Sequence, residues 1–314
     1  MDIKMNAANN QKAVVVENLE KRFGGFTAVD RINFQVDAGE IFGFLGPNGA
    51  GKSTTIRMLC GLLMPSGGTG TVGGYDIFAQ AESIKRIIGY MSQKFSLYED
   101  LTVEENINFY GGIYRVPKVK RAARKAWVLE MAGLTDRKDA VARTLATGFK
   151  QRLALGCAIL HEPPIIFLDE PTSGVDPVSR RNFWGLIHDL ADGGTTAFVT
   201  THYMEEADYC DRLALIYRGK IIAEATPMEL RREHMKRDIL EVEVDRVGDA
   251  MEVLLKEGIE NAIFGSVLHA TVDDARIAAP EIRRTLESAG VSVKRVEKIV
   301  PSLEDVFVTL IEKA

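Results

Sequence analysis

The segment Gly46-Pro47-Asn48-Gly49-Ala50-Gly51-Lys52-Ser53-Thr54 fits the pattern G-x-x-x-x-G-K-[ST], a spacing with a definite chemical use. Glycines let backbone N–H groups curl around an anion, and a helix starting there adds the partial positive charge of its N-terminus. A lysine then reaches the outer phosphates and a hydroxyl ligates Mg²⁺; in this chain those groups are Lys52 and Ser53. The pattern follows the apolar run Ile41-Phe42-Gly43-Phe44-Leu45 and precedes a helix expected over Thr54 to Cys60. That strand-loop-helix context is the one phosphate binding needs.

A second constellation lies downstream. Ile165-Ile166-Phe167-Leu168 ends in Asp169-Glu170, two carboxylates where a parallel sheet presents its ligand site. Asp169 would hold Mg²⁺ and Glu170 would polarise an attacking water. Alone, the pair reads equally well as an acidic strand-to-loop cap; beside the phosphate loop, the functional reading dominates.

These residues need a sheet to carry them. Ala13-Val14-Val15-Val16 and Ile32-Asn33-Phe34-Gln35-Val36 read as β-segments, the second alternating as an antiparallel strand does. From Leu101 to Leu160 the spacing of apolar residues is helical, an insertion. Thr196-Ala197-Phe198-Val199-Thr200 and Leu213-Ala214-Leu215-Ile216-Tyr217 are further strands, with a helix over Pro177 to Ala191 before them. Strands separated by helices imply a mostly parallel, helix-covered sheet. Beyond the charged run Arg231 to Asp238 the order is strand, helix, strand, strand, helix, strand and a last helix over Ser302 to Ile311, a βαββαβ unit compatible with a ferredoxin-like domain.

Composition sets limits on function. The chain has 314 residues, 46% hydrophobic and 26% charged, the profile of an ordinary globular protein. Its net charge of −5 lies wholly in residues 236–314, which hold 11 basic and 16 acidic residues. Neither part has the basic footprint of a nucleic-acid binder. Cys60, Cys157 and Cys210 are far apart and flanked by apolar residues, as buried reduced thiols are. With no apolar leader region and no run of about 18 apolar residues, the expectation is a cytoplasmic chain that neither crosses a membrane nor carries a secretion signal.

Over residues 13–230 the chain resembles the nucleotide-binding subunits of ATP-binding-cassette (ABC) transporters. The likeness rests on the two constellations above together with Tyr90-Met91-Ser92-Gln93, Leu145-Ala146-Thr147-Gly148-Phe149-Lys150-Gln151-Arg152, Pro171-Thr172-Ser173-Gly174-Val175-Asp176-Pro177 and Thr200-Thr201-His202. In the family's terms these look like the Q-loop, the signature, the D-loop and the switch histidine. The resemblance implies ATP and Mg²⁺ as ligands. Gly46 to Thr54 would cradle the phosphates, and Ser53, Gln93 and Asp169 would attend the metal. Glu170, His202, Lys52 and Gln93 would serve the reaction, and Phe23 would stack on adenine. Thr147 and Gly148 would face a partner cassette's nucleotide, and Asp176 would couple two sites across a dimer.

The fold implied is α/β, a P-loop NTPase of the ABC type: a mostly parallel sheet, an antiparallel β subdomain and a helical subdomain over about 100–160. This cassette spans 13–235 after a flexible tail at 1–12. A small α+β domain at 236–314 follows it. The D-loop form, Thr201-His202-Tyr203-Met204-Glu205-Glu206-Ala207 and the ending Pro301-Ser302-Leu303-Glu304-Asp305-Val306-Phe307 are similar to bacterial type-two ABC exporters, the YbhF-like and daunorubicin-resistance ATPases. The expected partners are a second cassette, identical or different, and integral-membrane permease subunits at the inner face of the membrane, with no nucleic acid.

One feature cuts against the pattern. The family signature is Leu-Ser-Gly-Gly-Gln, whereas this chain has Ala146 for Ser, Thr147 for the first Gly and Phe149 for Gln. That leaves a regulatory cassette with weak hydrolysis as one rival reading, and a soluble ABC ATPase acting on ribosomes or DNA as another. The cluster Arg115, Lys118, Lys120, Arg121, Arg124 and Lys125 reads either as a solvated helix face or as a contact for anionic lipid or a membrane partner.

Overall fold

The computed structural model describes residues 12–93, 97–234 and 237–311. Two compact units divide the chain after Pro227, earlier than the boundary expected at 235. Met235 and Lys236, inside the charged run expected at the junction, lie outside the described residues, as do 1–11 of the expected tail. Lys12, also assigned to that tail, opens the first strand and binds Asp37 at 2.7 Å.

The first unit begins with the long strands β1 (Lys12–Phe23) and β2 (Phe26–Asp37), paired antiparallel, then β3 (Ile41–Leu45). The helix after the phosphate loop, α1 (Lys52–Leu59), starts two residues earlier than its apolar pattern suggested. Lys52 and Ser53 therefore belong to its first turn. β4 (Gly67–Val72), β5 (Tyr75–Asp76), α2 (Ala81–Ile87) and β6 (Ile88–Met91) follow.

The helical insertion consists of α3 (Val103–Ile113), α4 (Lys118–Met131) and α5 (Thr147–Ala158). A capping box starts α3: Glu105 N–H donates to the Thr102 hydroxyl at 3.2 Å, and Thr102 N–H donates to Glu105 at 2.8 Å. The unit closes with β7 (Ile165–Asp169), α6 (Pro177–Asp192), β8 (Thr196–Thr201), β9 (Arg212–Tyr217) and β10 (Lys220–Ala225).

These strands form two sheets. β2-β1-β4-β5 is antiparallel, and β10-β9-β3-β8-β7-β6 is parallel except at its β10 edge. β3, β7 and β8 are buried throughout or nearly so because both faces are covered. Phe34, Phe42, Phe44 and Phe198 pack their rings 5.5–5.8 Å apart between the two sheets. Burial of each such ring stabilises the sandwich by about 1.5–3 kcal/mol. The register places Leu45 beside Thr201 and Asp169 beside Thr200, so the C-terminal ends of three strands converge where the phosphate loop leaves β3.

The second unit begins with most of α7 (Pro227–His234). β11 (Asp238–Val244), α8 (Val247–Lys256), β12 (Asn261–Phe264), β13 (Val267–Val272), α9 (Ala275–Ser288), β14 (Val293–Ile299) and α10 (Leu303–Ile311) follow. Its sheet runs β12-β13-β11-β14, all antiparallel. That order is the split βαβ of a ferredoxin-like unit. Leu240, Val242, Leu254, Leu268, Ile282 and Leu286 make its core. On β13 the His269 ring stacks on Phe264 and meets Asp305 of α10 at 2.8 Å, with Glu241 3.7 Å away.

Candidate functional site

The phosphate loop is shaped by its glycines. Gly51 has φ 111°, and a Cβ there would lie 2.6 Å from the Ala28 carbonyl oxygen, so any side chain is excluded twice over. The loop brings Lys52, 3% exposed, back over its own backbone. Its ammonium donates to the carbonyls of Gly46 at 2.7 Å and Pro47 at 3.1 Å. The third partner of Lys52 is Glu170, whose Oε1 is 3.1 Å away.

Glu170 is the hub of the site. Its other oxygen, Oε2, accepts from Gln93 Nε2 at 3.0 Å and lies 3.1 Å from His202 Nδ1. A buried carboxylate is costly unless paired, and these contacts supply the pairing. Its backbone is left-handed, φ 48°, a conformation uncommon outside glycine. Asp169, one residue earlier, accepts the Ser53 hydroxyl at 3.0 Å and the Thr200 hydroxyl at 2.8 Å. Burial pushes the Asp169 carboxyl above its ordinary pKa, and the two hydroxyls and Lys52 oppose that rise.

Lys52, Ser53, Gln93, Asp169, Glu170 and His202 thus form one connected cluster. Gly46 and Pro47 join it through their carbonyls, whereas Phe23, Asp176, Thr147 and Gly148 stand apart from it. Phe23 ends β1 about half exposed, with the Lys21 ammonium over its ring, 5.0 Å from the ring centre. Asp176 spends its carboxylate on the amides of Val178 and Ser179, capping α6 at 3.1 and 3.0 Å. Thr147 is exposed and is the first residue of α5, so it cannot be that helix's cap; Ala146 takes that place and offers no side-chain bond. Gly148 is required by close approach, since a Cβ there would lie 2.7 Å from the Ser179 hydroxyl. The Phe149 ring has the guanidinium groups of Arg137 and Arg152 at 5.0 and 4.5 Å from its centre.

Two groups escaped the sequence reading. Thr200 binds Asp169 and also accepts the Glu170 N–H at 3.0 Å. Behind the D-loop, Thr172 donates to the fully buried Glu206 at 2.5 Å, and Arg180 Nε is 3.5 Å from the same carboxylate. Neither had a clear signal in the sequence: Glu206 stands among other acids, Glu205 and Asp208, and Thr200 is marked only by its place before His202.

Four members of the basic cluster are engaged within the chain. Arg121 donates to the Val116 carbonyl, and Arg124 to those of Ile159 and Leu160. Lys120 pairs with Glu162 and Lys125 with Glu104. Cys60, Cys157 and Cys210 are free and buried, and burial lifts each thiol well above its ordinary pKa. Among the described residues no helix is long and apolar enough to cross a membrane.

Comparison with known proteins bears on the family and the fold. The ABC transporter family model matches residues 29–173, and the model of the DrrA1-3-like ATP-binding protein C-terminal domain matches 226–311. The probable multidrug ABC transporter ATP-binding protein YbhF of Escherichia coli (strain K12) is 49% identical over 221 residues, 70% of this chain. The chain spans only 38% of that relative's length. The daunorubicin/doxorubicin resistance ATP-binding protein DrrA of Streptomyces peucetius is 37% identical over 313 residues, covering 95% of this chain and 92% of the relative. Among solved structures, a dimeric post-hydrolysis state of the ATP-binding cassette MJ0796 with ADP and Pi matches with TM-score 0.62 and 27% identity, over 68% of this chain and 98% of that one. The chain belongs to the ATP-binding subunits of ABC transporters, a family of α/β ATPases.

Proposed function

We propose that the chain binds ATP with Mg²⁺, hydrolyses it as a dimer and drives export of a drug or lipid-like compound through a separate membrane permease, to which it attaches at the inner membrane face. The observation that carries the hydrolytic part is the arrangement of Glu170, with Gln93 and His202 on one oxygen and Lys52 on the other. A carboxylate held by two polar side chains at the lip of a phosphate loop is placed to orient a water and accept its proton. Lys52, buried and cationic, is the counter-charge for the transferred phosphate.

The donors near the loop are oxygens, the Ser53 hydroxyl and the Asp169 carboxylate, which suits a hard cation. Ser53 and Asp169 would hold Mg²⁺, which neutralises phosphate charge when bound. Gln93 gives its amide nitrogen to Glu170, which leaves its carbonyl oxygen as the atom that would meet Mg²⁺. Phe23, about half exposed, would stack on adenine.

In the first turn of α5 the Phe149 N–H is given to the Ala146 carbonyl at 3.0 Å, so the amides of Thr147 and Gly148 are the ones left for an anion without the missing serine. The export reading draws on the multidrug and drug-resistance names of the relatives. Release of phosphate by the purified chain, together with its co-purification with a multi-helix membrane protein, tests the proposal. ATP binding without turnover would favour the regulatory reading instead.

A further inference from the structure

We infer that Thr200 is the positioning residue for both carboxylates of the site, one hydroxyl holding the Asp169 side chain and the Glu170 backbone at once. This inference rests on the hydrolytic reading above. Thr200 is fully buried at the end of β8. Its hydroxyl has one proton and free lone pairs, and both are used: Oγ1 donates to Asp169 Oδ1 at 2.8 Å and accepts the Glu170 N–H at 3.0 Å. The same N–H lies 3.1 Å from the Thr200 carbonyl, so residue 170 is tied to residue 200 by two acceptors.

Those two bonds act where the chain turns. Glu170 has φ 48°, and a non-glycine residue keeps such a conformation only when its surroundings over-determine it. With the amide anchored on β8, the Glu170 side chain is delivered to Lys52, Gln93 and His202. The donated proton meanwhile fixes the Asp169 oxygen that Ser53 also binds. A β-branched side chain is restricted at χ1, which holds the hydroxyl between its two partners. Valine would keep the shape and lose both bonds. Thr200 touches neither the loop backbone nor Phe23 in any hydrogen bond among the described residues, so its effect should fall on the chemical step rather than on ATP affinity.

Steady-state hydrolysis by the full chain tests this with Thr200→Val, Thr200→Ser and Thr200→Ala, each checked for its melting temperature. The expected result is a kcat about tenfold or more below wild type for T200V with KM for ATP within about twofold. T200S should stay within about threefold of wild type, while T200A, which differs from it by the hydroxyl alone, falls with T200V. If T200V does not fold, the T200S and T200A comparison decides. Equal turnover in T200S and T200A, a T200V as fast as wild type, or a loss carried by KM overturns the inference while leaving the hydrolytic reading standing. A wild-type chain that binds ATP and never turns it over sinks both.

Discussion

Replacing Glu170 by Gln separates the two duties of that side chain. Its Oε1 is 3.1 Å from the Lys52 ammonium, and the two side chains are 5% and 3% exposed. At that distance a unit charge pair is worth about 5 kcal/mol gross at an effective dielectric of about 20. The amide of Gln still offers an oxygen to Lys52, and the Gly46 and Pro47 carbonyls remain, so the net loss is about 2–3 kcal/mol, below the cost of removing a buried partner outright. E170Q without nucleotide should therefore melt about 5 °C or more below wild type.

ATP should reverse that order. A bound phosphate supplies the negative charge Lys52 has lost, and it no longer competes with or faces the Glu170 carboxylate. The rise in melting temperature on adding ATP and Mg²⁺ should thus be larger for E170Q than for wild type, while turnover falls about a hundredfold or more with loss of the base. Scanning calorimetry with and without nucleotide, phosphate release and size-exclusion chromatography measure the three quantities. Wild-type turnover in E170Q removes Glu170 from the reaction. An ATP-induced shift no larger than wild type's refutes the idea that Lys52 trades one anion for another.

The complementary change, Lys52→Ala, strands Glu170 without its cation and takes the phosphate's counter-charge away; ATP affinity measured by calorimetric titration should fall at least tenfold, and retained affinity would contradict the loop's assigned role. At the start of α5, Ala146→Ser supplies the cap hydroxyl that the helix lacks and should raise stability by about 1 kcal/mol, whereas Thr147→Ala should leave the melting temperature unchanged; a large drop for T147A would show that Thr147 does cap. Burial works against a charged His269, but the bond to Asp305, that residue's charge and Glu241 outweigh it and raise the pKa above the ordinary 6.5, while Asp305, also opposed by burial, is held below its ordinary 3.8 by His269 and Ser302. The pair's stabilisation is therefore complete between 3.8 and 6.5 and fades as pH climbs through the raised histidine value; wild type should lose stability from pH 6.5 to 8.5 more steeply than His269→Gln, and parallel profiles would refute this.

Much of the fold was legible because its signals are local. An apolar run such as Ile41–Leu45 ending in glycines can hardly be anything but a buried strand and a tight loop, and alternation in Leu240, Val242 and Val244 marks a half-buried strand. Helix starts were harder. α1 begins at Lys52 and α5 at Thr147, ahead of their apolar patterns, because a helix's first turn is placed by the loop that feeds it and carries no periodicity of its own. The antiparallel order of the second unit followed from element succession, since a split βαβ with these short connections leaves few other ways to cover one sheet face.

The site divides along the same line. Residues within one segment, the loop 46–54 and the pair Asp169-Glu170, declare themselves by spacing. What joins the segments does not. Gln93, Glu170 and His202 meet across three strand ends, and only the strand order makes β7 and β8 neighbours. Thr200 is the sharper case: a threonine in an apolar strand has good β-propensity and needs no further reason to be there. Its meaning appears only when the register sets residue 200 opposite 169, which turns an ordinary strand residue into the one hydroxyl placed between a carboxylate and a left-handed turn. The left-handed Glu170 is equally silent in sequence, since no glycine marks it. The carboxylate is held in an unfavourable backbone by bonds reaching it from β8, so the strained residue and the residue that restrains it lie 30 positions apart.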